Sequence, residues 1–110
     1  MISNKWSAPI SFDAKKVARV LRDVLDELKF KFKREKGEKA YTQFLVLLPL
    51  PRFAYVFRFI VEEPKKFIIS TYDTKPAHSG TMSFIEVEMI NDENIESIRL
   101  VLSTLAKKLP

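Results

Sequence analysis

The sequence predicts an α+β fold: a two-layer sandwich with an N-terminal helix, a five-stranded antiparallel up-and-down sheet and a C-terminal helix. Three observations carry that expectation. Apolar residues recur at helical spacing near both ends of the chain, the region between them alternates with a period of two, and short turns join one alternating run to the next. The chain has 110 residues, 46% of them hydrophobic, which suits one domain over 1–110 with a single core.

Residues 1–12 contain Pro9 and show no periodicity, so they read as an extended lead-in pinned by Trp6 or Ile10. Asp13 is a good N-cap, and Phe12 is placed to pack on Val17 as a hydrophobic staple. A helix over 13–28 follows, with Val17, Val20, Leu21, Val24, Leu25 and Leu28 as its apolar stripe. At Leu28 the period changes. Leu28-Lys29-Phe30-Lys31-Phe32-Lys33 alternates strictly, which on a strand sends the lysines to one face and the apolar residues to the other.

The sheet is expected over 29–89. Lys36-Gly37-Glu38 reads as a hairpin turn, with Tyr41 to Leu48 as the returning strand and Pro49-Leu50-Pro51 as its stop. Further strands are expected at Ala54 to Val61, Lys66 to Tyr72 and Met82 to Met89. A second helix is expected over 91–109, capped by Asn91 or Asp92. A narrow apolar seam is expected at Ile95, Ile98, Leu102, Leu105 and Leu109.

Composition excludes several chemistries. The chain has no cysteine, so disulfides, thiolate metal sites and cysteine nucleophiles are impossible. With His78 as the sole histidine, no transition-metal ligand set is evident. Gly37 and Gly80 are isolated and cannot build a phosphate-cradling loop. No metal or cofactor is expected, nor is an enzyme. Glu86 and Glu88 share a strand face and read as solvated charges rather than a cation site. The absence of a signal-like or membrane-spanning run, with no cysteine, leads to the expectation of a cytoplasmic protein away from membranes. Abundant Lys and Glu with little Gln or Asn follows the trend of thermophile proteins.

The net charge of +5 is uneven: residues 1–40 carry eleven Lys/Arg against six Asp/Glu, whereas 41–110 carry eight of each. A basic surface is expected from Lys29, Lys31, Lys33, Arg34, Lys36 and Lys39, joined by Arg19, Arg22, Lys15 and Lys16 of the first helix.

Three functional readings follow. The first is a non-enzymatic interaction module, a homodimer that binds a protein partner through apolar residues Leu45, Leu47, Val56, Ile60 and Phe84 left on the second sheet face. The second is sequence-independent nucleic-acid binding through the basic hairpin and first helix, with Phe30 and Phe32 turned inward. The third is a small-ligand pocket between sheet and helices using Tyr41, Tyr55, Tyr72, Arg58 or His78.

Overall fold

A computed structural model describes residues 4–74 and 82–110. Its element order is β1 (Trp6–Ile10), α1 (Ala14–Glu27), β2 (Lys31–Leu45), β3 (Leu48–Glu63), β4 (Phe67–Thr74), β5 (Met82–Glu88) and α2 (Ile95–Lys108). The strands form one antiparallel sheet in the order β1-β5-β4-β3-β2. The α+β class and the five-stranded antiparallel sheet are thus as expected, with a strand added before the first helix. Strands β2 to β5 run up and down, while β1 closes the opposite edge, so α1 carries the chain across the sheet.

The lead-in is therefore an edge strand. Trp6 to Ile10 pair with Val87 to Ser83, and Pro9 is tolerated because an edge strand has one side free of partners. Ala8 and Ile10 pack against the core.

Both helices cover the same sheet face. Val17, Leu21, Val24 and Leu25 of α1 and Ile98, Val101 and Leu105 of α2 meet Phe59, Val61, Phe67, Ile69, Ile85 and Val87 of the sheet in one buried cluster. Beside it Phe32 lies against Phe59, with ring centroids 5.9 Å apart. At the far ends of the helices, Lys108 Nζ reaches Glu27 Oε1 at 3.1 Å.

Helix α1 begins with Lys15 and Lys16, charges that oppose its macrodipole. Two carboxylates offset them. Asp13 Oδ1 accepts from the Lys16 amide, and Asp73 Oδ1 on β4 accepts from the Ala14 amide and from Ser83 Oγ. The helix ends in a Schellman motif: the Lys29 amide donates to Asp26 O and the Phe30 amide to Leu25 O, with Lys29 at φ 60°. This corrects the sequence expectation, because Lys29 terminates the helix and the strand begins at Lys31.

The β2–β3 hairpin also differs from expectation. Lys36-Gly37-Glu38 lies inside β2, and the turn is Val46-Leu47, closed by the Leu45–Leu48 pair. Two predicted strands are thereby merged into one. Pro49 and Pro51 do not end a strand, for a reason of alternation. In a two-residue hairpin the closing pair exchanges its backbone hydrogen bonds, so Leu48 points its amide inward and positions 49 and 51 face outward. Along that outer side β3 has no β4 partner, since their pairing covers only Val56 to Val61.

Helix α2 starts at Ile95 rather than directly after the expected cap. Asn91 does act as an acceptor, taking the amides of Glu93 and Asn94. Asn94 is the stronger fixture. It is buried, its Oδ1 accepts from the Asn91 amide, and its Nδ2 donates at 2.7 Å to both Lys66 O and Met89 O. One side chain thus ties the start of α2 to the ends of β4 and β5. The buried residues of α2 are Ile98, Val101 and Leu105, a wider face than the expected seam, with Ile95, Leu102 and Leu109 half-buried at its margins.

Two stability effects are expected. Lys29→Gly relieves about 1–2 kcal/mol of left-handed strain against a smaller loss from a more flexible unfolded chain, for a net gain of about 0.5–1 kcal/mol in urea unfolding. Asn94→Ala removes the donor that both the Lys66 and the Met89 carbonyls share and is expected to cost about 1–3 kcal/mol in the same measurement.

Candidate functional site

The hairpin is longer than the strands that support it. β2 and β3 stay paired from Lys31–Glu63 to Leu45–Leu48, but β4 reaches only as far as Val56. Residues 38–55 therefore form a two-stranded arm beyond the sheet. The Cα radius of gyration is 14.7 Å, whereas a compact chain of this length has about 13 Å. The projecting arm explains the excess.

Alternation along this hairpin divides its charges between two faces. On the face away from the helices, three hairpin cations have acidic partners, Lys33 with Glu62 at 3.8 Å, Arg58 with Glu35 at 2.9 Å and Lys39 with Glu86 at 3.2 Å, while Arg52 Nε donates to Gln43 Oε1. Lys5 pairs with Glu88 at 3.3 Å on the same side. Lys39 reaches from β2 across to Glu86 on β5, which requires the twisted ribbon to curl over that face. Its ammonium lies 5.1 Å from the Tyr72 ring centroid, and the Tyr72 ring stacks on Phe84 at 5.5 Å. Ala54, Val56 and Tyr72 are buried beneath this cover, with Tyr41 and Phe84 packed beside them.

Burial raises the Tyr72 pKa, the Glu86 carboxylate raises it further, and Lys5 acts in the opposite sense. The two strand carboxylates, Glu86 and Glu88, are engaged by lysines, and among the described residues no three His, Cys, Asp or Glu side chains cluster as metal ligands.

The helix-side face is different. Arg34 and Lys36 of β2 face Arg19, Arg22 and Lys15 of α1 across an open groove floored by Phe57 and Phe59. Arg22 has Asp23 at 3.6 Å; among the described residues Lys15, Arg19, Arg34 and Lys36 have no carboxylate at ion-pair distance. The groove continues onto the arm, where Phe53 and Tyr55 line it from the helix side and Tyr41, Gln43 and Arg52, which alternate onto the other face, border it, and its other end meets Asp13 and Asp73 at the start of α1.

The predicted basic surface is thus split. Arg34, Lys36, Arg19 and Arg22 converge on the groove; Lys33 and Lys39 lie on the opposite face in ion pairs; Lys29 ends α1 and Lys31 opens β2.

The apolar set is split as well. Val56 is buried, Ile60 and Phe84 are half-buried, and Leu47 is 86% exposed at the turn, about 25 Å along the strand from Val56. Leu45 belongs to the last pair of β2. Of the residues expected to line a pocket, Tyr55 lies in the groove, Arg58 and Tyr41 border it while packing toward the other face, Tyr72 lies on that other face, and His78 falls outside the described residues.

Two aromatics were not singled out as surface residues by sequence. Phe53 and Tyr55 are 68% and 74% exposed, although Tyr55 continues the row of Phe57 and Phe59 that faces the helices. The helices simply do not extend that far. Only the excess length of the strand relative to its neighbour signals this, and that length was hidden by the misplaced turn.

Protein-family models, curated proteins and solved structures give no match to this chain. The reading of function rests on the surfaces alone. No helix among the described residues is long and apolar enough to cross a membrane.

The raised Tyr72 pKa has a defined consequence. Because the folded state holds the phenol proton more tightly than the unfolded chain does, this contribution to stability is fully present below about pH 10 and is lost as pH rises through the folded pKa. Urea midpoints measured from neutral to strongly alkaline pH are expected to fall more steeply for the parent protein than for Tyr72→Phe.

Proposed function

We propose that the protein is a non-enzymatic interaction module that acts as a homodimer, with the free end of the β2–β3 arm as its contact element. One observation carries this reading: Phe44, Val46, Leu47 and Leu48 are all more than half exposed at the arm's end. A concentration of exposed apolar side chains of this kind is uncommon on a monomer and favours an interface.

Two features favour a second copy as the occupant. β2 is the sheet's edge, and its last six residues, Ala40 to Leu45, carry no charge, whereas the stretch from Lys31 to Lys39 is dense with charges that discourage edge pairing. Antiparallel pairing of the 40–45 edge with the same edge of another copy is self-complementary, as a two-fold interface requires. The turn supports the same reading. Val46 has φ 60°, a conformation that glycine adopts without strain and a β-branched residue does not. Apolar chemistry is kept at the tip against local backbone preference, as at other strained functional sites.

Sedimentation equilibrium tests the proposal. The parent chain is expected to dimerise at micromolar concentration. Leu47→Glu with Leu48→Glu is expected to weaken the dimer by at least about tenfold, because two apolar contacts are lost and two charges desolvated. Both side chains are exposed, so the circular dichroism spectrum should not change. A parent chain that remains monomeric at high micromolar concentration would exclude the dimer.

A further inference from the structure

We propose that the groove between α1 and the β2–β3 hairpin binds single-stranded nucleic acid, with the phosphates along its cationic wall and bases stacked on the exposed aromatics of the arm. This inference is independent of the dimer, since it uses the helix-side face of the arm rather than its tip or outer edge.

Charge is sorted between the two faces of the hairpin. The acidic residues of the hairpin are largely spent on the opposite face, where Glu35 and Glu62 pair with Arg58 and Lys33. The helix-side cations are left without such partners, although they belong to the same strands. Arg34 and Lys36 on β2 stand opposite Lys15 and Arg19 on α1, so the positive wall has two sides and encloses a channel. Lys15 also sits in the first turn of α1, where its charge works against the helix. A polyanion lying in the channel reverses that penalty. The sequence pI of about 9.5 agrees with an electrostatic footprint of this sort.

A row of aromatics distinguishes single strands from other polyanions. Phe53, Tyr55 and Phe57 occupy alternate positions of β3, so they lie in one row on one face. Phe53 and Tyr55 are mostly exposed, Phe57 half so, and all three line the groove. Lys36 is the register partner of Phe57 and so stands beside the row on the same face. A cationic track beside a row of open aromatic faces is how sequence-tolerant single-strand binders work: phosphates meet the cations and unstacked bases meet the rings. A duplex offers no free base faces to such a row, and a polyphosphate has no bases at all. Four carboxylates limit the track, the first being Glu35, which borders the groove paired with Arg58. Glu38 is the register partner of Tyr55, and Asp13 and Asp73 at the other end are held by the amides of α1. The phosphate path therefore runs along Arg19 and Arg34 to Lys36 and Lys15.

Fluorescence anisotropy with a labelled oligothymidylate of about 12 nucleotides tests the proposal. With about four phosphate contacts the logarithmic salt slope for a single strand is about −3, so affinity should fall about 50-fold between about 50 and 200 mM salt. A duplex of the same length and inorganic polyphosphate should each bind at least about tenfold more weakly than the single strand at equal salt. Tyr55→Ala should weaken single-strand binding by about 5- to 150-fold and leave polyphosphate binding unchanged. Arg34→Glu should weaken both. These residues are exposed, and an unchanged urea midpoint for each variant rules out unfolding as the cause. The proposal is overturned by an absence of binding at the low salt concentration, by equal affinity for single strand, duplex and polyphosphate, or by a Tyr55→Ala variant that binds as the parent does.

Discussion

A mismatch of strand length governs this molecule. β2 and β3 pair over their whole lengths, but β4 accompanies β3 for only a short stretch from Val56 to Val61, and both helices cover the sheet on one side only. Beyond Val56 the hairpin has no third strand and no helix to pack against. A two-stranded ribbon by itself is marginal in water. It is stabilised here at its root, where Lys39 lies over Tyr72 to reach Glu86 and where Ala54 and Val56 are buried beneath the curl. Farther out, the side chains that would complete a core in a wider sheet remain in solvent. The exposed tip, the aromatic row and the open groove all descend from that one unequal pairing.

The same geometry distributes the electrostatics. Strict alternation sends neighbouring residues of β2 to opposite faces, so Lys33, Glu35 and Lys39 enter a paired network while Arg34 and Lys36 do not. Exposed pairs such as Arg99–Glu96 contribute little to stability. The Lys39–Glu86 pair differs because the Glu86 side chain is 9% exposed, so loss of its lysine leaves a desolvated carboxylate. The paired face is consequently a structural surface and the unpaired face is the one with charge available to a ligand. A net charge of +5 spread evenly over the surface carries much less information than the same charge gathered on two walls of one channel.

The relation between pattern and structure can be followed through particular residues. Helix α1 was legible because Val17, Leu21, Val24 and Leu25 keep helical spacing and because Asp13 is a strong cap. Gly37 misled because a glycine between charged residues has the composition of a turn, yet it lies opposite Val56 inside a continuous strand. The actual turn, Val46-Leu47, has no turn chemistry in its composition. Pro49 and Pro51 misled for the complementary reason. Proline breaks a ladder only where an amide is required, and whether one is required depends on the neighbouring strand. The candidate site was half legible: Arg19, Arg22, Arg34 and Lys36 were within the basic set, but their separation from Lys33 and Lys39 needed the strand register.

By itself the sequence determined the local and compositional facts: the α+β class, the two amphipathic helices, the concentration of positive charge in the first forty residues, and the removal of thiol chemistry. These depend on periodicity, capping and counts, which need no knowledge of distant partners. The tertiary structure alone decided that both helices share one face, that β1 closes the far edge, and that β3 outruns β4. Each of those is a non-local pairing, and a residue such as Tyr55 is core or surface according to what lies across from it. The pattern places Tyr55 on the helix side of the sheet; only the finite reach of the helices leaves it open to solvent.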